Sequence, residues 1–349
     1  MTTRTTLALE SLEAREVPAI TIQIDYSFDA SGFFNDPGRR AVLQQAANDI
    51  AAHLDANLPA ITPGGGNNWT ATFFNPATGA QAQVANLSVP ANTIILYAGG
   101  RDLTGAEAGQ GGYGGYSASG SQAWYNAIQT RGPGFGLWGG GLSFDTWGTD
   151  WFFGSTTAGI GADQIDFYSA ATHEITHALG IGTSPEWNTL TATGKFTGPT
   201  AQAVYGGPVP ISTDGDHWAH GITVGGQPVA MDPYADLGTR VPESALDYAG
   251  LKDLGWTISD VPGVPGAAAS FTPPVSVGTQ GTPVVLTGAT DGTAQVYTLR
   301  SDDTLAPAGP PQTPFARYAG VIRSVVADFN GDGVDDYAFA TGAGVAATV

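Results

Sequence analysis

Alternation of hydrophobic and polar residues predicts short β-strands in the N-terminal part of the chain. Residues 20–26 alternate in this way, and residues 68–74 and 93–98 are further runs rich in β-branched and aromatic side chains. Over residues 38–56 the hydrophobic positions instead recur at helical spacing, which predicts an amphipathic helix. The pattern is therefore typical of an α+β protein.

A second helix is predicted in the middle of the chain, where residues 165–172 form an amphipathic approach and Gly180 provides a stop. It carries the segment His173-Glu174-Ile175-Thr176-His177. Histidines at this spacing project from one face of a helix, so both imidazoles can reach one metal ion. A carboxylate beside the metal can accept a proton from a water whose pKa the ion lowers. The pattern indicates metal-dependent amide hydrolysis with Glu174 as the general base.

A third protein ligand is needed to complete such a site. The chain has five histidines and no cysteine, so few side chains can serve. His53 lies in the predicted helix over residues 38–56 and is expected to be a partly exposed helix histidine. His217 and His220 remain, and the residues alone leave both possible.

The active-site helix resembles that of the metzincin zinc metalloproteases, in which the helix ends at a glycine equivalent to Gly180. Thr183 departs from the pattern, because the common metzincin motif has histidine or aspartate at this position. A hydroxyl is a poor zinc ligand beside imidazole or carboxylate. The third ligand must therefore come from elsewhere in the chain, or the site is degenerate. The long insertion over residues 184–230 contains both candidate histidines and is expected to carry the ligand back to the metal.

Three downstream segments resemble the leishmanolysin-type branch of the metzincins. They are the His217-Trp218 pair, the Met231-Asp232-Pro233 turn and a closing helix over residues 244–256. The resemblance implies that His217 is the third ligand and that Met231 forms an apolar floor under the metal without binding it. It also implies a metzincin-like catalytic domain, in which a twisted mixed sheet packs with the active-site helix and a C-terminal helix.

Glycine-rich stretches precede the active-site helix at residues 109–120 and 132–141. They lack the lysine and the strand-to-helix setting of a phosphate loop, so flexible loops near the cleft are the simpler prediction. By the metzincin resemblance, residues 142–146 are expected to be the edge strand that pairs with an extended substrate. Such main-chain recognition tolerates many substrate sequences.

Composition and charge narrow the possible partners. The 349 residues include 12 Lys+Arg and 31 Asp+Glu, giving a formal net charge of -19. Nucleic acids and anionic membranes repel such a chain, so neither is an expected partner. The metzincin resemblance implies a polypeptide substrate. No run of about twenty apolar residues predicts a membrane span. The absence of cysteine excludes a disulfide framework.

The first 18 residues form an N-terminal segment without the continuous apolar core of a secretory signal peptide. Residues 12–18 match the pattern Leu-Glu-x-Arg-x-x-Pro and resemble the start of many exported or surface proteins of the planctomycetes. This resemblance implies an extracellular or cell-surface location in a bacterium. A disordered terminus is the alternative.

The C-terminal part is predicted to be separate from the catalytic domain over residues 19–258. Its proline-rich start, residues 259–278, is typical of a linker. Within residues 279–349, short predicted strands lead to a segment that resembles the calcium loop of FG-GAP repeats, which build β-propellers. By this resemblance the Ca²⁺ ligands are Asp328, Asn330, Asp332, Asp336 and the Val334 carbonyl. An EF-hand is excluded because Phe339 occupies the position of its glutamate, whereas a solvated acidic turn remains the alternative.

Together these features predict a secreted zinc endopeptidase that acts on extended polypeptides. The expected Zn²⁺ ligands are His173, His177 and His217, with Glu174 as the catalytic base. The alternative is a non-enzymatic, calcium-dependent surface or adhesion protein that retains a protease fold. The sequence indicates neither the cleavage preference nor the oligomeric state.

Overall fold

The computed structural model describes residues 20–55, 57–105, 107–259, 261, 263–264, 284–288, 293–299, 305–307, 310–315, 322–327 and 336–341. This part of the chain is an α+β structure with several small sheets, in agreement with the fold class expected from the sequence. The N-terminal segment, residues 1–18, and most of the predicted linker, residues 259–278, lie outside the described residues.

Six α-helices occur in the described residues, and side-chain caps fix where the main ones begin. The helices are α1 (Pro37–Ala51), α2 (Gln122–Gln129), α3 (Phe167–Ala178), α4 (Pro185–Thr191), α5 (Pro199–Tyr205) and α6 (Ala245–Asp253). Asp36 caps α1 and Asp166 caps α3, each by accepting a backbone N–H of the first turn. A capping box formed by Ser244 and Asp247 starts α6. The predicted histidine helix is α3, and the predicted closing helix is α6.

Twenty strands, many of them only two residues long, accompany these helices in the described residues. They are β1 (Thr21–Asp25), β2 (Leu54–Asp55), β3 (Asn68–Phe74), β4 (Gln81–Ala85), β5 (Thr93–Arg101), β6 (Gly109–Tyr113), β7 (Gly115–Ser119), β8 (Gly139–Asp145), β9 (Trp151–Phe152), β10 (Ile165–Asp166), β11 (Lys195–Phe196), β12 (Val209–Pro210), β13 (Thr223–Val224), β14 (Gln227–Pro228), β15 (Thr257–Ile258), β16 (Val284–Gly288), β17 (Ala294–Leu299), β18 (Leu305–Pro307), β19 (Ile322–Ala327) and β20 (Asp336–Thr341). The helix predicted over residues 38–56 is too long at its C-terminal end, because β2 follows α1 and pairs with β15.

The central sheet has the strand order β1-β5-β8-β6 and is mixed. The first three strands are parallel, whereas β6 runs antiparallel to β8. Alternate side chains of β5 point to opposite faces. Ile94 and Leu96 join the core that contains α1 and α3, and Ile95 and Tyr97 join a second core that contains β3. The sheet is thus covered on both faces, which fixes α3 against one of them.

The edge strand next to α3 is β6, and the prediction that residues 142–146 form this edge is wrong. Residues 142–145 belong to β8, which is entirely buried because β5 and β6 flank it. The prediction of flexible loops over residues 109–120 is also wrong, since β6 and β7 occupy this stretch. Glycine serves close packing here, because a Cβ on Gly111 would overlap the backbone carbonyl of Glu174 on α3.

The insertion over residues 184–230 is a folded part of the molecule. It contains α4, α5 and two short antiparallel strand pairs. The rings of Trp187, Phe196 and Trp218 are fully buried, with centroids 4.9 to 5.1 Å apart. This aromatic cluster anchors the chain next to His217.

The described residues of the C-terminal part form antiparallel strands, in line with the β structure predicted for residues 279–349. Strands β16, β17 and β18 make a three-stranded sheet. Strands β19 and β20 pair in the register Ile322↔Thr341 to Ala327↔Asp336. The two strands border residues 328–335, which lie outside the described residues.

Candidate metal centre

Three histidine side chains converge at the floor of a cleft beside α3. The Nε2 atom of His217 lies 3.1 Å from Nε2 of His173 and 3.1 Å from Nε2 of His177. Nitrogens that bind zinc tetrahedrally at about 2.0–2.1 Å lie roughly 3.3 Å from one another. The observed spacing fits such a set, and one ligand atom from each ring lies within 4.8 Å of the others.

The second nitrogen of each ring contacts an oxygen that orients the ring. The contacts are His173 Nδ1 to Ala230 O at 2.7 Å, His177 Nδ1 to Ile181 O at 2.8 Å and His217 Nδ1 to Asp214 Oδ2 at 3.0 Å. A carbonyl or carboxylate oxygen can only accept, so each Nδ1 carries the proton and each Nε2 presents a lone pair. Three lone pairs directed at one point repel each other unless a cation lies between them. Such outer contacts are usual around metal-binding histidines.

Burial favours the neutral form of the helix histidines. It lowers the pKa of His173 to about 4 and lowers that of His177 well below the ordinary value, and the neighbouring rings act in the same direction. Neutral imidazole is the form that binds a metal. The two rings of α3 are therefore ready to act as ligands at neutral pH.

The described structure brings His217, and not His220, to the α3 histidines. The side chain of His220 is 65% exposed, and its Nδ1 lies 3.0 and 3.1 Å from the two carboxylate oxygens of Asp232. Trp218, next to His217, is held by its backbone N–H, which donates to the Met231 carbonyl at 3.0 Å, and by its indole N–H, which donates to Asp247 Oδ1 at 2.9 Å. The buried indole thus places His217 over α3 and leaves His220 on the surface.

Glu174 lies between His173 and His177 in sequence and is almost completely buried. Burial raises the pKa of its carboxyl to about 8, and the negative charge of Glu107 acts in the same direction, whereas the Gly111 amide opposes the shift. With a pKa of about 8 the carboxyl is mostly protonated at pH 7 when no metal is bound. A cation held by the three histidines would favour the ionised carboxylate, which is the form that can accept a proton.

Asp247 joins the elements around the site, a role that sequence reasoning missed. Its buried carboxylate accepts from Ala230 N–H at 2.9 Å, Met231 N–H at 3.2 Å and Trp218 Nε1–H at 2.9 Å. It also accepts from the backbone and hydroxyl of Ser244. The Ser-x-x-Asp capping pattern was the available signal, but it predicts only the helix start. Met231 itself is fully buried beside the carbonyl that orients His173.

The cleft above the histidines has a volume of 690 Å³ and a strongly acidic wall. Besides Glu174, it is lined by Glu107, Asp166, Asp216, Asp232 and Asp236, and none of the described lining residues is lysine or arginine. Of these carboxylates, Asp166 is neutralised by Arg240 at 2.8 Å. The open side of the site therefore favours positively charged groups.

The predicted calcium ligands fall almost entirely outside the described residues. Asp328, Asn330, Asp332 and Val334 lie outside the described residues, and Asp336 is the first residue of β20. Within the described residues, the three-histidine group is the one cluster of ligand-type side chains compact enough for a metal. No helix in that part of the chain combines the length and hydrophobicity needed to cross a membrane.

No protein-family model, curated protein or solved structure matches the chain. The metzincin resemblance therefore rests on the residues of the site, above all on the α3 motif and the distant His217. Their convergence establishes a group that could bind a metal ion, without indicating which ion.

Proposed function

We propose that this protein is a zinc-dependent endopeptidase of the metzincin type. The observation that carries the proposal is the convergence of three Nε2 atoms beside Glu174, which lies on the same helix as two of them. A metal site that served only to stabilise the fold has no need of an acidic residue beside the ligands or of an open cleft. The cleft of 690 Å³ reaches both the histidines and Glu174.

The ligand set supports zinc. Three neutral imidazoles with an open fourth position are typical of catalytic zinc, whereas calcium and magnesium prefer oxygen ligands. When bound, zinc supplies a Lewis acid that polarises the substrate carbonyl and lowers the pKa of water. Asp214 supports this use by holding the His217 ring through Nδ1.

Glu174 is proposed to move the proton of the reaction. Its carboxylate accepts a proton from the water that attacks the scissile carbonyl carbon. It then gives this proton to the amide nitrogen as the C–N bond breaks, so the carboxylate is regenerated. Burial, and then the charge of Glu107, raise the pKa of Glu174, and this strengthens its hold on the proton between the two steps.

The substrate is proposed to bind as an extended chain along β6. This strand ends the central sheet, and Gly109, Gln110 and Gly111 line the cleft. Backbone groups at a sheet edge can pair with a peptide without reading its side chains. The role that the sequence assigned to residues 142–146 therefore passes to β6.

Isosteric replacement of the base tests the proposal. Glu174→Gln is expected to lower peptide hydrolysis by about 10²- to 10⁴-fold, because general-base catalysis contributes that much. Zinc content, measured by atomic absorption, should stay at the wild-type level. His220→Ala serves as the control and should retain both zinc and activity.

Two results would contradict the proposal. One is wild-type protein that binds zinc fully and yet cleaves no unfolded protein, which favours the non-enzymatic surface protein. The other is a Glu174→Gln variant as active as the wild type. Loss of zinc in His220→Ala but not in His217→Ala would overturn the ligand assignment.

A further inference from the structure

A second cavity, of 280 Å³, lies on a different face of α3 from the histidines. Three parts of the chain line it: the end of α1 with the two residues that follow it, the first half of α3, and the first half of α6 with the segment that leads into it. The polar residues around it include Asp49, His53, Tyr168, Glu243 and Tyr248. None of these side chains has a role in the proposed hydrolysis.

Glu243 is the residue that indicates a ligand. One carboxylate oxygen, Oε1, accepts from the Thr176 hydroxyl at 2.7 Å. The other, Oε2, is buried and has no hydrogen-bond partner among the described residues. A buried oxygen without a partner is rare and costs free energy, so it calls for a group that the cavity can admit.

A second carboxylate lies near Glu243 in the cavity wall. Asp49 lies in the same wall and accepts from the Tyr168 hydroxyl at 2.8 Å. Burial raises the pKa of Tyr248, and the charges of Glu243 and Asp49 add to the shift, which places these groups near one another. Arg240 lies over the Tyr168 ring, but its guanidinium is bound to Asp166.

The size and shape of the group of acceptors favour an organic cation over a metal ion. In the described residues, Asp49, His53 and Glu243 do not form a compact set of metal ligands, since the histidine cluster of α3 is the one such set. An ammonium group instead donates in three directions and tolerates acceptors that are farther apart. A cavity of 280 Å³ also has room for a short alkyl chain.

We propose that this cavity binds the primary ammonium group of a small alkylamine, with the Glu243 carboxyl as its partner. In the empty cavity, burial and then the charge of Asp247 raise the pKa of this carboxyl well above its ordinary value. The carboxyl therefore releases its proton to solvent as the ammonium group binds, and the two groups form an ion pair. Asp49 adds to the negative potential, and the tyrosine hydroxyls offer further acceptors. The site is independent of the metal centre, so it does not depend on the proposed peptidase activity.

Calorimetric titration with n-butylammonium chloride tests the site on the full chain. Saturable binding is expected for the wild type and for His217→Ala, in which the amine has no intact metal centre to bind. Glu243→Gln should weaken binding about tenfold or more, because a charge-assisted hydrogen bond is lost. Asp163→Asn is the matched control, since Asp163 is exposed and lines neither cavity.

Several outcomes would overturn the proposal: no saturable binding to the wild type, equal binding of 1-butanol, or unchanged binding in a folded Glu243→Gln variant. Stronger binding of calcium chloride than of the amine, lost in Glu243→Gln, would show a metal site instead. Circular dichroism checks the fold of each variant. If Glu243→Gln does not fold, Asp49→Asn replaces it, with weaker amine binding expected and unchanged binding contradicting the proposal.

Discussion

The histidine ligands illustrate what single residues contribute. The four-residue spacing of His173 and His177 was enough to predict that both would face one metal ion, because helix geometry fixes that relation. The carboxylate of Asp214, which orients His217, lies three residues before its partner and carries no recognisable motif. Asp214 can contact the His217 ring only because the chain turns between these two residues.

Removal of the Asp214 carboxylate is expected to weaken the metal site. Asp214→Ala should lower zinc affinity about 10- to 100-fold, because the His217 ring loses the acceptor that fixes its orientation. Competition with a chromogenic chelator measures this change. Asp232→Ala is the matched control, since Asp232 contacts His220 instead, and equal losses in both variants would contradict the assignment.

Protonation of His173 is expected to destabilise the metal-free protein over a defined range of pH. The folded pKa of His173, about 4, lies below its ordinary value of 6.5, so the unfolded state binds protons first as pH falls. The contribution of His173 to the free energy of unfolding should therefore decrease between pH 6.5 and 4, by on the order of 3 kcal/mol. Glu174 acts in the opposite direction, because its folded pKa is raised to about 8, so the contribution of His173 is obtained as the difference between the wild type and His173→Gln. Urea unfolding of both proteins in EDTA measures this difference, and a difference that does not change with pH would contradict the assignment.

At the scale of elements, the glycine-rich strand β6 is where the prediction from sequence was wrong, because a flexible loop was expected there. Glycine usually signals loops, and the sequence offered no reason to expect a strand there. The reason lies in tertiary packing, since β6 crosses α3 so closely that a side chain on Gly111 has no space. The sequence alone does not distinguish glycines that allow close packing from glycines in flexible loops, because the difference depends on how β6 and α3 pack together.

A methyl group on Gly111 is expected to disturb both packing and catalysis. Gly111→Ala should lower the free energy of unfolding by about 1–3 kcal/mol, as overpacking does, and should displace Glu174. Gly112→Ala is the control, because its Cβ would meet nothing nearer than Phe74 Cε1 at 3.6 Å. Urea unfolding and peptide hydrolysis of the two variants make the comparison, and equal stability would contradict the packing argument.

At the scale of the whole molecule, the fold gathers acidic residues from separate parts of the sequence around one cleft. The net charge of -19 was visible in the sequence, but its concentration around one cleft was not. Glu107 comes from the approach to β6, and Asp236 comes from the loop after Met231. The sequence likewise predicted the α+β class, two site helices and the long insertion, whereas strand order and the junction at Asp247 depend on distant contacts.

The acidic cleft is expected to select basic substrates. Peptides with lysine or arginine near the scissile bond should have higher kcat/KM than matched glutamate peptides, because the wall attracts positive charge. Salt should reduce the difference through screening. Steady-state assays of both peptides at low and high ionic strength measure this difference in kcat/KM. The Asp236→Asn variant, which removes one charge of the wall, should show a smaller difference. A preference for acidic peptides, or one that salt leaves unchanged, would contradict this assignment.

The carboxylate of Asp247 also has a consequence for the order in which the site is built during synthesis. Trp218, Ala230 and Met231 all donate to a side chain that follows them in sequence. A growing chain that has not yet reached α6 lacks this common acceptor, although all three histidines have already been made. Ribosome-bound chains are thus expected to assemble the three-histidine group only after α6 has emerged, which delays the proposed proteolysis until that stage of folding.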